Sequence, residues 1–115
     1  MNYNRKPDEK NKKDFKLNNF TFIVPTFNAE KTIAQCILSV VCQSYPHWKL
    51  IIQDDMSTDK TVHIIKTLSR IFQIQDKIIL TENKEKLWEV KNILEGLKHC
   101  TDDDIVCRLD GDDWM

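Results

Sequence analysis

Apolar and polar positions alternate along this chain between short continuous runs and helical stripes. Phe20-Thr21-Phe22-Ile23-Val24 is β-branched and aromatic and predicts a strand. Pro25 is expected to end it by removing a ladder donor. Thr26-Phe27-Asn28 then form a turn, with Asn28 as a helix N-cap and Glu30 in the first helical turn. Ile33, Ile37, Val40 and Val41 recur at helical spacing. That helix is expected to fade before Ser44-Tyr45-Pro46, because the residue before proline is pushed out of the α region. Trp48 to Ile52 predicts a second strand, which delivers Gln53-Asp54-Asp55 at its end. A second helix follows, with Val62, Ile65, Leu68 and Phe72 on one stripe. Lys77 to Leu80 predicts a third strand. A third helix carries Leu87, Val90, Ile93, Leu94 and Leu97, and Ile105 to Leu109 predicts a fourth strand.

The order is β-α-β-α-β-α-β, which predicts an α/β fold with a parallel sheet and helices on its faces. The strands read as nearly continuous apolar runs, so burial on both faces is expected. Residues 1–18 are polar, with few apolar side chains, and read as a disordered or loosely attached tail. Residues 19–115 are expected to form the folded part.

Composition adds little. A chain of 115 residues is enough for one small domain, and 41% hydrophobic with 30% charged residues is ordinary for a globular protein. The net charge of -1 gives no global attraction to nucleic acid or to an anionic membrane. Local charge is uneven: residues 1–19 hold six basic against three acidic side chains, and Asp102 to Asp113 hold six Asp against Arg108. Interrupting acids, and only Tyr3 and Phe15 to stack, argue against a nucleic-acid arm. The N-terminus lacks the apolar core of a secretory signal, and no run has the length of a membrane span, so a cytoplasmic location is expected. Cys36, Cys42, Cys100 and Cys107 show no C-x-x-C spacing and read as reduced thiols rather than zinc ligands. With only Gly96 and Gly111, the chain has no glycine-rich phosphate loop.

The candidate chemistry collects at the carboxyl ends of the strands, where open α/β sheets bind ligands. Strand one ends in Pro25-Thr26-Phe27-Asn28, strand two in Asp54-Asp55, strand three near Asn83, and strand four in Asp110-Gly111-Asp112-Asp113. With strand order 3-2-1-4, the Thr26 and Asp110 turns would face each other across one crevice at the switch point. Such a crevice offers carboxylates. A diphosphate could bind there through Mg2+ or Mn2+ bridging carboxylate and phosphate oxygens. The same ion would stabilise a departing diphosphate. Asp54 or Asp55 could accept a hydrogen bond from a base, and Phe27 could flank it. Each cluster alone also has a plainer explanation. Asp54-Asp55 with Ser57 and Asp59 makes a helix-capping turn, Phe27 packs, and Asp110 to Asp113 is a charged surface turn.

Four ordered segments resemble the family-2 glycosyltransferases of the Rossmann-like GT-A fold. They are Phe22-Ile23-Val24-Pro25-Thr26-Phe27-Asn28, Ser39-Val40-Val41-Cys42-Gln43-Ser44-Tyr45-Pro46, Ile51-Ile52-Gln53-Asp54-Asp55-Met56-Ser57-Thr58-Asp59 and Leu109-Asp110-Gly111-Asp112-Asp113-Trp114. The resemblance implies transfer of a sugar, with inversion, from a nucleotide-diphosphate sugar (a UDP-sugar first) to an acceptor the sequence does not identify. It implies a nucleotide-sugar pocket of Pro25, Thr26, Phe27, Asp54, Asp55, Asp110 and Gly111, with Asp55 on the base. It implies Mn2+ or Mg2+ on Asp112 and Asp110. Two departures stand out. Lys91 stands where Arg is common beside Asn92, and Lys86 occupies a usual Gly position.

In that family the acceptor elements and the catalytic base lie beyond the D-x-D motif. The chain is therefore expected to be a donor-binding half, cut after strand four, with no catalytic base before Met115. The exposed sheet edge would then invite self-association or a partner chain. Two other readings remain open: a non-catalytic nucleotide-binding or interaction module, and a phosphoryl-transfer domain using Asp and Mg2+.

Overall fold

The computed structural model describes residues 18–111. Asp112 and Asp113 and nearly all of the expected tail lie outside the described residues. Of the tail, Asn18 is described, and its carbonyl accepts a hydrogen bond from Tyr45 Oη at 2.7 Å.

Four strands and three helices alternate: β1 (Phe20–Thr26), α1 (Ile33–Val41), β2 (Trp48–Asp54), α2 (Thr61–Ile71), β3 (Ile78–Glu82), α3 (Trp88–Leu97) and β4 (Ile105–Arg108). A short 3-10 turn, Gln75–Lys77, leads into β3. The sheet is parallel throughout, in the expected order β3-β2-β1-β4.

β1 runs through Pro25 rather than ending there, because the missing N–H lies on a side where nothing needs it. Residues 23 and 25 face β4, whereas Thr26 faces β2: its carbonyl accepts the Asp55 N–H at 2.8 Å. The β1–β4 ladder has already ended at the Ile23–Arg108 pair, so the proline removes no bond to β2.

Strand alternation divides the core between two faces. Phe22, Val24, Leu50 and Ile52 meet Ile33, Cys36, Ile37 and Val40 of α1 and Ile65 of α2 in one buried cluster. Ile23 and Ile51, also buried, point to the other face, where α3 lies. Gly96 brings α3 close: a Cβ there would stand 2.6 Å from Ile23 Cγ2.

Several expectations are corrected. α1 starts at Ile33, five residues after Asn28, whose φ of 48° is left-handed. The Asn28 carboxamide instead accepts the Thr58 N–H at 2.8 Å and so caps the neighbouring loop. On α2 Ile65 and Leu68 of the expected stripe pack on the core, but Thr61 and Ser69 are buried beside them and Phe72, beyond the helix end, is exposed. On α3 the face turned inward is Asn92 and Gly96, while Val90, Leu94 and Leu97 of the expected apolar stripe are exposed. Close approach through Gly96, together with hydrogen bonds to Asn92, outweighs the stripe. Burial on both faces holds for β1 and β2 only, since Ile105 and Val106 of β4 are exposed. Among the described residues no helix is long and apolar enough to cross a membrane.

Candidate functional site

An open cleft of about 390 Å³ lies beyond the carboxyl ends of β1 and β4, at the switch point. Pro25, Thr26, Phe27 and Ala29 line one side, and Asp55, Lys86, Trp88, Glu89, Asn92 and Asp110 the others. The turns after β1 and β4 do meet. Gly111 N–H donates to the Pro25 carbonyl at 3.4 Å, and Thr32 Oγ1 donates to the Gly111 carbonyl at 3.1 Å. A Cβ at Gly111 would come within 2.7 Å of Thr26 Cγ2, so the contact of the two turns depends on glycine.

The acidic pair after β2 is split by the alternation of the strand. Asp54 points towards the helix-capping loops, where its Oδ1 accepts from Thr26 Oγ1 at 2.7 Å and Ser57 Oγ at 2.6 Å. Its Oδ2 accepts the Ser57 N–H at 3.0 Å. It therefore stands behind the cleft and shapes the β1 turn. Ser57, Thr58, Asp59 and Thr61 continue this polar seam to Asn28, Ala29 and Glu30.

Asp55 points the other way and is 4% exposed. Its Oδ1 accepts the Leu87 N–H at 2.7 Å and Asn83 Nδ2 at 3.0 Å, and its Oδ2 accepts the Trp88 N–H at 2.9 Å. Lys86 Nζ stands 3.5 Å from the same Oδ2. Burial alone would raise the carboxyl's pKa. The Leu87 N–H, Asn83, the Trp88 N–H and Asn92 outweigh burial and hold it below its ordinary value. Asp55 thus sits at the N-terminus of α3, where backbone donors favour negative charge. Asn92, 1% exposed, completes the arrangement: it accepts from Asn83 Nδ2 at 2.6 Å and donates to the Trp88 carbonyl at 2.7 Å.

These bonds hold Trp88 in an uncommon conformation, with φ of 64° and the indole 70% exposed. A left-handed bulky residue is strained, and glycine is not. Trp88→Gly is therefore expected to be more stable than Trp88→Ala by about 1 kcal/mol in urea unfolding.

At the other end Asp110 Oδ1 lies 2.9 Å from the guanidinium of Arg108, which also pairs with Glu89 Oε1 at 2.7 Å. Asp110 is partly exposed and offers a hard carboxylate oxygen of the kind Mn2+ or Mg2+ prefers. Among the described residues no three side chains come together as a metal site. The second expected ligand, Asp112, lies outside them.

Of the expected site residues, Pro25, Thr26, Phe27, Asp55 and Asp110 share the cleft, Gly111 supports it from behind, and Asp54 is turned away. Sequence reasoning missed Arg108, Glu89, Trp88 and the cleft position of Lys86. The spacing of Asn83 and Asn92 was the available clue to the α3 entry, since two amides flanking a helix start are natural partners for a buried carboxylate.

A cleft of this kind, at the strand ends beside a reversal of strand order, defines a ligand-binding open α/β domain. Residues 21–115 match the family described as glycosyl transferase family 2, and the chain belongs to that family. It is 38% identical over 94 residues to EpsE of Bacillus subtilis, whose glycosyltransferase assignment is itself provisional, covering 79% of this chain and 32% of that protein. It is 36% identical over 89 residues to a Methanococcus voltae glucuronosyltransferase named for a dolichyl N-acetyl-alpha-D-glucosaminyl phosphate substrate, covering 76% of this chain and 27% of that one.

Among solved structures, S. aureus TarS 1-349 in complex with UDP-GlcNAc superposes with a TM-score of 0.73 at 26% identity, covering 84% of this chain and 27% of TarS. A mannosyltransferase from Pyrobaculum calidifontis in complex with GDP-Man and Mn2+ gives 0.72 at 27% identity, covering 81% of this chain and 27% of that one. The chain spans about a third or less of the length of each of these relatives.

Proposed function

We propose that this chain is the nucleotide-sugar-binding part of an inverting, metal-dependent glycosyltransferase that uses a nucleoside-diphosphate sugar, a UDP-sugar first. The observation that carries the reading is the meeting of Pro25, Thr26, Phe27, Asp55 and Asp110 around one cleft at the switch point. Relatives of the same fold bind UDP-GlcNAc and GDP-Man, which supports a nucleotide-sugar ligand here.

In this reading Phe27 flanks the base, Asp55 faces its N–H groups, and Asp110 lies towards the ribose and diphosphate. Asp110 and Asp112 would hold Mn2+ or Mg2+. When bound, such an ion supplies positive charge against the departing diphosphate. The acceptor hydroxyl attacks the anomeric carbon as the bond to the diphosphate oxygen breaks, and a base must take the hydroxyl proton. Each described carboxylate lining the cleft is already engaged: Asp55 by α3 donors, and Asp110 and Glu89 by Arg108. That supports a donor-binding role for residues 19–115, with the base supplied from elsewhere. It equally favours the second reading, a non-catalytic nucleotide-binding module of the same fold. The proposal places the chain in the cytoplasm, with the exposed β4 edge as the place of self-association or of a partner chain.

Calorimetry of the full chain with UDP tests this. Binding is expected with Mn2+ present, and Asp112→Ala or Asp110→Asn is expected to weaken it by about tenfold or more. An affinity for UDP that ignores Mn2+ would remove the metal assignment. No affinity under either condition would remove the nucleotide reading.

A further inference from the structure

Lys86 stands between the two residues, Phe27 and Asp55, that the proposed function assigns to the base. Its ammonium lies 3.1 Å from the centre of the Phe27 ring and 5.0 Å from that of Trp88. It donates to the Asp55 backbone carbonyl at 3.3 Å and sits 3.5 Å from Asp55 Oδ2. Besides Lys86, the Asp55 carboxylate is held by the Leu87 and Trp88 N–H groups, which are main chain, and by Asn83 and Asn92, which are tied to each other. Each carboxylate oxygen can accept about two hydrogen bonds. Oδ1 already takes the Leu87 N–H and Asn83, and Oδ2 takes the Trp88 N–H, so the side of Oδ2 beside Lys86 is where a ligand N–H would reach Asp55. Lys86 is also the donor that can leave without disturbing main-chain structure, because its charge rides on a flexible four-carbon stem. The same ammonium covers the ring face of Phe27 inside the cleft.

Charge decides where the displaced ammonium goes. Among the described residues lining the cleft, Lys86 is the one cation, and it stands against Asp55; Arg108, outside the lining, is already divided between Glu89 and Asp110. A diphosphate entering such a cleft brings further negative charge. The ammonium nearest to it is the one its own base has just dislodged. We propose that Lys86 is a two-position residue. In the free chain it closes the base end of the cleft over Phe27 and Asp55. When a nucleotide enters, it moves onto the diphosphate. This rests on the nucleotide-binding function proposed above and adds a residue that sets how nucleoside and phosphate contribute to affinity.

The two positions predict opposite effects in one variant. In calorimetry of the full chain with Mn2+, Lys86→Ala is expected to bind uridine about fivefold more tightly, because a cation–π and ion-pair competitor is gone. The same variant is expected to bind UDP about fivefold more weakly, because a phosphate partner is lost. Lys86→Met, which keeps an apolar stem, is expected to reproduce both shifts of the alanine variant, tighter for uridine and weaker for UDP, and guards against misfolding of that variant. Lys86→Arg is expected to restore UDP affinity in part. If uridine and UDP tighten together, Lys86 is a plug with no phosphate role and the proposal falls. If both weaken, or neither changes, Lys86 is structural or idle and the proposal falls equally. A parent chain that binds no UDP removes the proposed function itself. A parent that binds, with no opposite shift in the variants, removes only the assignment of Lys86.

Discussion

Asp55→Ala is expected to lose about 3 kcal/mol of folding stability in urea unfolding, a large effect for a substitution that removes only a carboxyl. The reason lies in what the carboxylate holds. It accepts the Leu87 and Trp88 N–H groups and Asn83, and it is buried. Alanine would leave buried donors at the start of α3 without an acceptor. Asp55→Asn is expected to fall between, since it keeps one acceptor oxygen but sets an amide donor against backbone N–H groups. Both variants are expected to weaken UDP binding, because Trp88, Glu89 and Asn92 reach the cleft from the helix that Asp55 anchors.

The acid dependence follows from the same bonds. The folded chain holds the pKa of Asp55 below its ordinary value, so the unfolded chain binds the proton more readily. The stabilisation is therefore fully present above the ordinary carboxylate range. It is lost as pH falls through the lowered value. Asp59 is shifted in the same direction, with burial opposed by its bonds to Thr61 and the Glu30 N–H, and adds to the same acid limb. Urea midpoints measured between neutral pH and pH 3 should decline less steeply for Asp55→Asn than for the parent. Parallel curves would show that Asp55 is not the group responsible.

Gly96→Ala is expected to cost about 2 kcal/mol, against a gain of about 1 kcal/mol from alanine's better helix propensity at an open site. The added Cβ would lie 2.6 Å from Ile23 Cγ2. That methyl sits on a β-branched carbon with one strongly preferred rotamer, in the most buried part of β1, and cannot swing aside. Either α3 moves outward or the strand shifts. A double-mutant cycle with Ile23→Ala identifies the clash: the two losses should sum to clearly more than the loss in the double variant. Simple additivity would show that Gly96 serves some other purpose. Because Trp88, Glu89 and Asn92 ride on this helix, Gly96→Ala should also weaken UDP binding without touching the cleft.

The alternation of strands and helices was legible because each element carries its own period. Ile33, Ile37 and Val40 mark α1, and Leu50-Ile51-Ile52 marks a strand buried on both sides. The facing turns after β1 and β4 followed from the rule for open parallel sheets once the order 3-2-1-4 was taken, and the structure has that order. α3 shows where period alone fails. Leu87, Val90, Ile93, Leu94 and Leu97 make a good apolar stripe, yet Asn92 and Gly96 face inward. Helix period says that a face exists. It does not say that a glycine's close approach and a buried amide's hydrogen bonds will outweigh it. Asn28 failed for a related reason: its side chain bonded across space to Thr58 rather than along the chain to α1.

The sequence by itself determined the class of fold, the edge of the sheet on which the chemistry lies, and the family resemblance, because those depend on local pattern and ordered motifs. Only the tertiary structure decided what each polar residue does there. The pleat of β2 sends Asp54 back to Thr26 and Ser57 and sends Asp55 forward to the start of α3. Two neighbouring aspartates of identical chemistry become a loop brace and a cleft residue because successive side chains of a strand point to opposite faces. Lys86 and Arg108 entered the site in the same way, through the long-range packing of α3 and β4 against β1, which no local pattern encodes.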